Sequence, residues 1–399
     1  VVGAALIAVA FTAAFIQLAG ALNALIWTNA YVSGNRWVIP IVSVLLSFPV
    51  GLSQKFLHAP TVIDGGFTES LKRKDRATDY HTFPGALCSS VCSLASGASV
   101  GPEGPVAILV QDIAAWLRAR LRISSAAALG FDVAALAAAF NGVVGNPLFT
   151  GIFATEFEVG SPSASVFLAW NLLAGAIGFA FYEALGLAAF AGAVAFAPVT
   201  HLEWTYFLWA LVLGVLGVAM ALYTAASMNL FGRLVPRLFG QHVVLRSLAA
   251  GAVIGLVGLG VPESMFSGEN QVHTIIADPS RYGLALLLLL ALLKPLLLGL
   301  SFKSGYLGGP IFPIMFACTM LGLALHLVFT DVPQSVLVMC IQGPAIAVAL
   351  GAPLTAIVLV LIVGNSSPDT MALTTLSTAV GVLIIGALRR ARARRTRAT

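Results

Sequence analysis

The residues best suited to chemistry stand together in Gly101-Pro102-Glu103-Gly104-Pro105. Glycine and proline break a helix there, and a break inside lipid frees backbone groups that the bilayer cannot satisfy. At a helix start those groups are N–H donors at the positive end of the helix dipole. Such an end binds an anion without any fixed cation. Proline suits the first turn, because the N–H it lacks is an orphan there anyway. Glu103 lies inside this element, and an ionisable side chain at membrane depth is a functional hypothesis by default. Its carboxylate is itself an anion beside N–H donors. It takes the anion's place when ionised and leaves when protonated, so one residue serves as gate and proton carrier. The plainer alternative is a glutamate that merely caps a helix N-terminus.

A second element, Gly309-Pro310-Ile311-Phe312-Pro313, answers the first. The first is followed by Asn146-Pro147-Leu148-Phe149-Thr150-Gly151-Ile152, and the second by Ala352-Pro353-Leu354-Thr355-Ala356-Ile357. Pro105 and Pro147 are 42 positions apart, and Pro313 and Pro353 are 40 apart. A helix rich in small residues precedes each element (Pro84–Gly97 and Lys294–Gly305), and an apolar helix follows (Val106–Leu117 and Ile314–Val328). The pattern predicts a duplicated transporter fold of inverted topology, with repeats at 1–200 and 201–399 and a seam near Pro198–Trp204. A chance recurrence of proline motifs in a glycine-rich chain is the competing account. In the duplicated reading, two helix starts meet at the midplane and form an anion site from Gly101, Gly104, Pro105, Gly309, Ile311 and Phe312. Conduction needs binding weak enough to release, which a fixed Lys or Arg would hinder.

The elements that must carry such a site are apolar. Of 399 residues, 59% are hydrophobic and 9% charged, against roughly 25% charged in an average soluble domain. Lipid has to absorb that apolar surface. Many of the apolar runs, such as Ala126–Phe140 and Ala352–Val363, are shorter than the ~20 residues of a simple spanning helix. With 39 Gly and 19 Pro the chain can form broken, tilted segments. The predicted fold is therefore an all-α polytopic membrane protein.

The net charge is +5 and its placement is uneven. Basic clusters at Lys72, Arg73, Lys74 and Arg76; Arg118, Arg120 and Arg122; Arg233, Arg237 and Arg246; and Arg389, Arg390, Arg392, Arg394, Arg395 and Arg397 predict cytoplasmic faces. The last cluster reads as a cytoplasmic tail touching anionic lipid rather than a nucleic-acid site. Cys88, Cys92, Cys318 and Cys340 form no CxxC or zinc spacing, and the six His are scattered. No metal, cofactor, P-loop or GxSxG nucleophile is expected. The chain opens on Val1, which predicts a trimmed N-terminus, and no cleavable signal peptide is visible.

Gly101-Pro102-Glu103-Gly104-Pro105 resembles the Gly-(Lys/Arg)-Glu-Gly-Pro signature of the chloride channel/transporter (CLC) family. Phe302-Lys303-Ser304-Gly305 with Gly309 to Pro313 resembles that family's Gly-x-Phe-x-Pro region. Asn146-Pro147-Leu148 through Glu156, and Ala352-Pro353-Leu354-Thr355, resemble its two Pro-Leu helices. The likeness runs from about Trp37 to Val363. It implies that Glu103 is the external gate, that each subunit has its own pore, and that two subunits form a homodimer through Pro147–Glu158, Val166–Tyr182, Pro353–Val363 and Thr370–Leu388.

Departures from the family pattern are equally legible. The stretch matching its Gly-Ser-Gly-Ile-Pro element reads Pro60-Thr61-Val62-Ile63-Asp64-Gly65-Gly66, where Thr61 supplies the hydroxyl. The aromatic position of Gly-x-Phe-x-Pro falls on Ile311, with Phe312 next. No Tyr follows Pro353 to match the family's late tyrosine. For the internal proton glutamate, counting from Pro147 puts Phe157 at the position and makes Glu156 the structural carboxylate. Counting from Gly151 puts Glu158 there. Residues 156 and 158 are about 200° apart on a helix and cannot share a face; the first count is favoured.

The expected function is transport of chloride or another halide, coupled to protons by exchange at Glu103, in a bacterial inner membrane. An uncoupled channel of the same fold and a fluoride-selective exporter are the alternatives. A membrane enzyme or assembly factor on this scaffold is more remote.

Overall fold

The computed structural model describes residues 2–60, 80–123, 125–156, 164–192, 194, 196–197, 199 and 201–398. In chain order the helices are α1 (Val2–Trp27), α2 (Ala30–Gly34), α3 (Val38–Phe56), α4 (Phe83–Ala95), α5 (Glu103–Leu121), α6 (Ser125–Ala139), α7 (Asn141–Val144), α8 (Pro147–Glu156), α9 (Ala164–Ala184), α10 (Trp204–Phe239), α11 (Val243–Gly260), α12 (Glu269–Ala277), α13 (Gly283–Lys303), α14 (Ile311–Val328), α15 (Gln334–Leu350), α16 (Pro353–Val363) and α17 (Pro368–Ala398). Among the described residues, eight of these helices are long and apolar enough to cross a membrane. The chain is an all-α, multi-pass membrane protein, as its composition demanded.

Local sequence explains where helices start and stop. Asn146 precedes Pro147, and its Oδ1 accepts the N–H groups of Leu148 (3.0 Å) and Phe149 (3.1 Å), capping α8. Helix α5 begins at Glu103 and α14 at Ile311, three residues before the apolar stretches that follow Pro105 and Pro313. Each proline is thus the third helical residue, inside the first turn where its missing N–H costs nothing. Helix α10 runs well past the apolar run Phe207–Met228, because Asn229 to Phe239 continue the helix into a basic end at Arg233 and Arg237.

Two compact units make up the chain. The first comprises Val1–Gly192, Ser227–Gly268 and Leu296–Pro313, and the second Ala193–Ala226, Glu269–Pro295 and Ile314–Thr399. Both draw residues from either half of the sequence.

In the first unit α3 and α11 pack closely. A Cβ at Gly251 would lie 2.7 Å from Ser47 Cβ and 3.0 Å from the Ser43 carbonyl oxygen, and one at Gly255 would lie 2.5 Å from Pro40 Cα. Lipid offers helices no hydrophobic reason to associate, so close backbone approach through small residues has to supply the attraction. The same logic governs α1, α6 and α9, where Ala5, Ala13, Ala134, Ala137, Ala138 and Ala174 form one buried cluster. Between α5 and α6 the Arg118 guanidinium meets Asp132 at 2.9 Å.

In the second unit α15 is buried along most of its length. Its buried Gln342 amide has partners: Nε2 donates to Thr319 Oγ1 (2.9 Å) and the Met315 carbonyl (3.2 Å) on α14. Lys294 is 0% exposed, with Nζ 4.6 Å from the Phe316 ring centroid. A desolvated ammonium over an aromatic face gains about 2 kcal/mol.

Two outcomes follow from this packing. Gly251→Leu is expected to force α3 and α11 apart at a cost of about 1–3 kcal/mol. A lowered unfolding midpoint in detergent would show it, and an unchanged midpoint would mean the pair is looser than described. Arg118→Met is expected to cost about 3 kcal/mol by removing the guanidinium from the buried Asp132 carboxylate, whereas Arg118→Met with Asp132→Leu costs less. Additive losses in the double variant would contradict this.

Candidate functional site

The site lies within the first unit and is made by two chain reversals that meet. Helix α4 ends at Ala95, and the chain runs through Ser96 to Val100 into Gly101. There Gly101 N–H donates to the Gly309 carbonyl at 2.9 Å, and Gly309 N–H to the Gly101 carbonyl at 2.7 Å. This isolated antiparallel bridge joins the two Gly-Pro elements that the sequence paired. The contact is backbone on backbone. A Cβ at Gly104 would sit 2.2 Å from the Gly308 carbonyl oxygen and 2.8 Å from Gly309 N, so no side chain fits there.

Past the bridge each chain enters a helix. Glu103 is the first residue of α5 and Ile311 the first of α14. The Glu103 side chain reaches across to the other helix start: Ile311 N–H donates to Glu103 Oε1 at 2.6 Å. Glu103 is 0% exposed, and Gly101, Gly104, Pro105, Gly309, Ile311 and Phe312 are all buried around it. Such a bond to an ionised carboxylate is roughly twice as strong as a bond between neutral groups. It places a carboxylate at the positive end of α14, where an inorganic anion would find the same donor.

The neighbouring groups hold this arrangement. Phe312 meets Phe190 edge-on, with centroids 5.2 Å apart. The Phe190 segment is in turn fixed by Phe190 N–H to the Gly142 carbonyl and Ala191 N–H to the Val143 carbonyl, both at 2.8 Å. On the other side, Leu307 N–H donates to Ser93 Oγ at 3.1 Å. The Tyr306 hydroxyl sits 2.6 Å from Ser47 Oγ and 2.9 Å from the Ser247 carbonyl.

Of the residues singled out from sequence, Glu103, Gly101, Gly104, Pro105, Gly309, Ile311 and Phe312 come together here. Thr61 and Glu158 lie outside the described residues, as do Phe157 and the basic cluster Lys72 to Arg76. Glu156 is the last residue of α8 and is half-buried. Among the described residues no three His, Cys, Asp or Glu side chains gather as a metal site.

Sequence reasoning passed over Ser93, Phe190 and Tyr306. Ser93 left a signal: Ser89, Ser93 and Ser96 recur at spacings of four and three, which sets a polar stripe on one face of α4. Phe190 left none, because its role depends on a loop folding back from a remote part of the chain.

The family model for the voltage-gated chloride channel matches residues 46–385. Among curated relatives, a protein named for ion transport, YfeO, from Escherichia coli O139:H28 (strain E24377A / ETEC) is 25% identical over 261 residues, 64% of this chain. YfeO of Escherichia coli K12 (DH10B) shows the same identity over the same length. The match spans 61% of the length of these relatives. Among solved structures, a slow cyanobacterial Cl−/H+ antiporter aligns at a TM-score of 0.80 with 16% identity, covering 97% of this chain and 93% of the other. A CLC-type fluoride/proton antiporter aligns at 0.74 with 19% identity, covering 96% and 93%. A eukaryotic CLC transporter aligns at 0.72 with 14% identity, covering 97% and 70%. These likenesses concern the fold, and with the family match over most of the length they mean that this chain belongs to the voltage-gated chloride channel family.

Proposed function

We propose that this protein moves small inorganic anions across a bacterial inner membrane, and that Glu103 gates the path by exchanging places with the anion. The observation that carries the reading is the bond from Ile311 N–H to Glu103 Oε1, formed by a fully buried carboxylate at the start of α14. An ionised carboxylate competes with an anion for the same N–H donor. Protonation removes its charge, weakens it as an acceptor and releases the donor. The anion then binds among the backbone groups of Gly101, Gly104, Gly309, Ile311 and Phe312.

Because the same carboxylate takes up a proton when it leaves, anion movement one way and proton movement the other are linked at one residue. This makes proton-coupled exchange the preferred reading, and chloride/proton and fluoride/proton antiporters stand among the structural neighbours. Thr61 remains in the proposal as an anion-contacting hydroxyl, and Glu158 as an inner proton relay on the count from Gly151 alone, since the favoured count gives that position to Phe157. The repeats at 1–200 and 201–399, with a basic cytoplasmic tail, and a homodimer with one pore per subunit complete it. The second reading is an uncoupled channel. It is kept open by the internal proton position, which the favoured count gives to Phe157 rather than to a glutamate.

Purified protein in liposomes decides between them, with chloride and fluoride efflux and external pH recorded for wild type and Glu103→Gln. Anion efflux with opposing proton flow in wild type, and loss of the proton flow alone in Glu103→Gln, is the expected result. Anion efflux with no proton movement would make the protein a channel. Folded protein that passes no halide would remove the transport reading. In the same assay Gly104→Ala is expected to lower anion flux at least tenfold, because its Cβ displaces the Gly308–Gly309 backbone. Wild-type flux in that variant would mean the two helix starts do not form the site.

A further inference from the structure

Gly305 ends the turn after α13 with φ +98°, and its carbonyl accepts a hydrogen bond from Gln54 Nε2 on α3. Gln54 is 7% exposed. Its Oε1 accepts from Arg246 Nη2 on α11 at 3.1 Å. The two flanking groups each have a single role: a guanidinium only donates, and a carbonyl only accepts. The Gln54 amide presents an acceptor to one and an N–H to the other, which also fixes which way it points. Met, Leu or an ionised Glu of similar size cannot complete the bridge. The packing is equally close, since a Cβ at Gly305 would fall within 2.8 Å of the Gln54 amide carbon.

The segment this bridge holds is the one that delivers the Ile311 donor. From Gly305 the chain is tied at Tyr306 to Ser47 and Ser247, at Leu307 to Ser93, and at Gly309 to Gly101, before Ile311 N–H reaches Glu103. Gln54 fixes the end at which the segment leaves α13, and the bridge to Gly101 fixes the end at which it enters α14. Hydrogen-bond strength falls steeply with misalignment. A shift passed along six residues therefore reaches the Ile311 bond even though neither Gln54 nor Arg246 touches Glu103.

We propose that Gln54, held by Arg246, is a positioning residue for the seat of the Glu103 carboxylate, so that the α3–α11 pair sets how firmly the gate stays closed. This rests on the reading of Glu103 as gate. With the bridge lost, the Ile311 N–H is less well aimed and the ionised carboxylate leaves its seat more readily.

The test is a double-mutant cycle in liposomes at low chloride and alkaline pH, where the ionised gate is mostly closed. Gln54→Met is expected to raise the residual anion flux about three- to tenfold, the worth of one hydrogen bond. In the Glu103→Gln background the same change is expected to leave flux within about twofold, because there is no ionised carboxylate to hold. Arg246→Met should act in the same direction, Arg246→Lys should restore wild-type behaviour, and Gln54→Met with Arg246→Met should match Gln54→Met alone. Equal fold-changes with and without Glu103 would reduce Gln54 to a structural role and overturn the proposal. Wild-type flux in Gln54→Met, with Glu103→Gln behaving as an open gate, would overturn it and leave the gate standing. Wild-type behaviour of Glu103→Gln would remove both. If Gln54→Met does not fold, the Arg246→Met and Arg246→Lys pair carries the same cycle.

Discussion

The bond between Ile311 N–H and the Glu103 carboxylate depends on a backbone that is open where lipid tolerates no open backbone. A spanning helix satisfies every N–H and C=O within itself. Here two helices start inside the protein instead, at Glu103 and Ile311, and their first N–H groups have no intrahelical partner. Burying such donors without an acceptor costs about 1–3 kcal/mol each. Glu103 supplies an acceptor from the other helix start.

The rest of the first unit can be understood as the means of keeping that opening in place. Two glycine segments face each other through paired backbone bonds, 2.9 and 2.7 Å long. Side chains are excluded where they meet, as at Gly104. Serine and tyrosine hydroxyls, a glutamine amide and an arginine then tie the flanking loop to α3, α4 and α11. The serine, tyrosine and glutamine groups are buried among apolar helices, so their bonds count for more than they would at a surface. The helices themselves pack through glycine and alanine, since lipid gives them no hydrophobic incentive to associate.

The second unit follows the same chemistry with side chains. Gln342 directs its N–H groups to a carbonyl and a hydroxyl of α14, and Lys294 rests over Phe316. Both groups are expensive to bury and both are matched by a partner of suitable type. The aromatic edge of Phe312 against Phe190 plays a comparable part beside Glu103, covering the start of α14 with a rigid apolar surface.

Much of this was determined by sequence alone. The hydrophobic fraction required a membrane fold. Gly101 to Pro105 and Gly309 to Pro313 marked two helix starts, because the first turn is the helical position that accepts proline. Glu103 stood out because a lone carboxylate between such residues has few structural uses. The pairing of the two motifs was legible from their spacing to Pro147 and Pro353. What only the tertiary structure decided was which atom meets which. Sequence placed Glu103 at the start of its own helix, whereas its carboxylate bonds the start of the other one. Gln54, Arg246, Ser93, Tyr306 and Phe190 carry no local pattern that points to Glu103. Their roles arise from contacts between residues up to 259 positions apart, and hydrogen bonds at that separation depend on helix packing that periodicity does not encode.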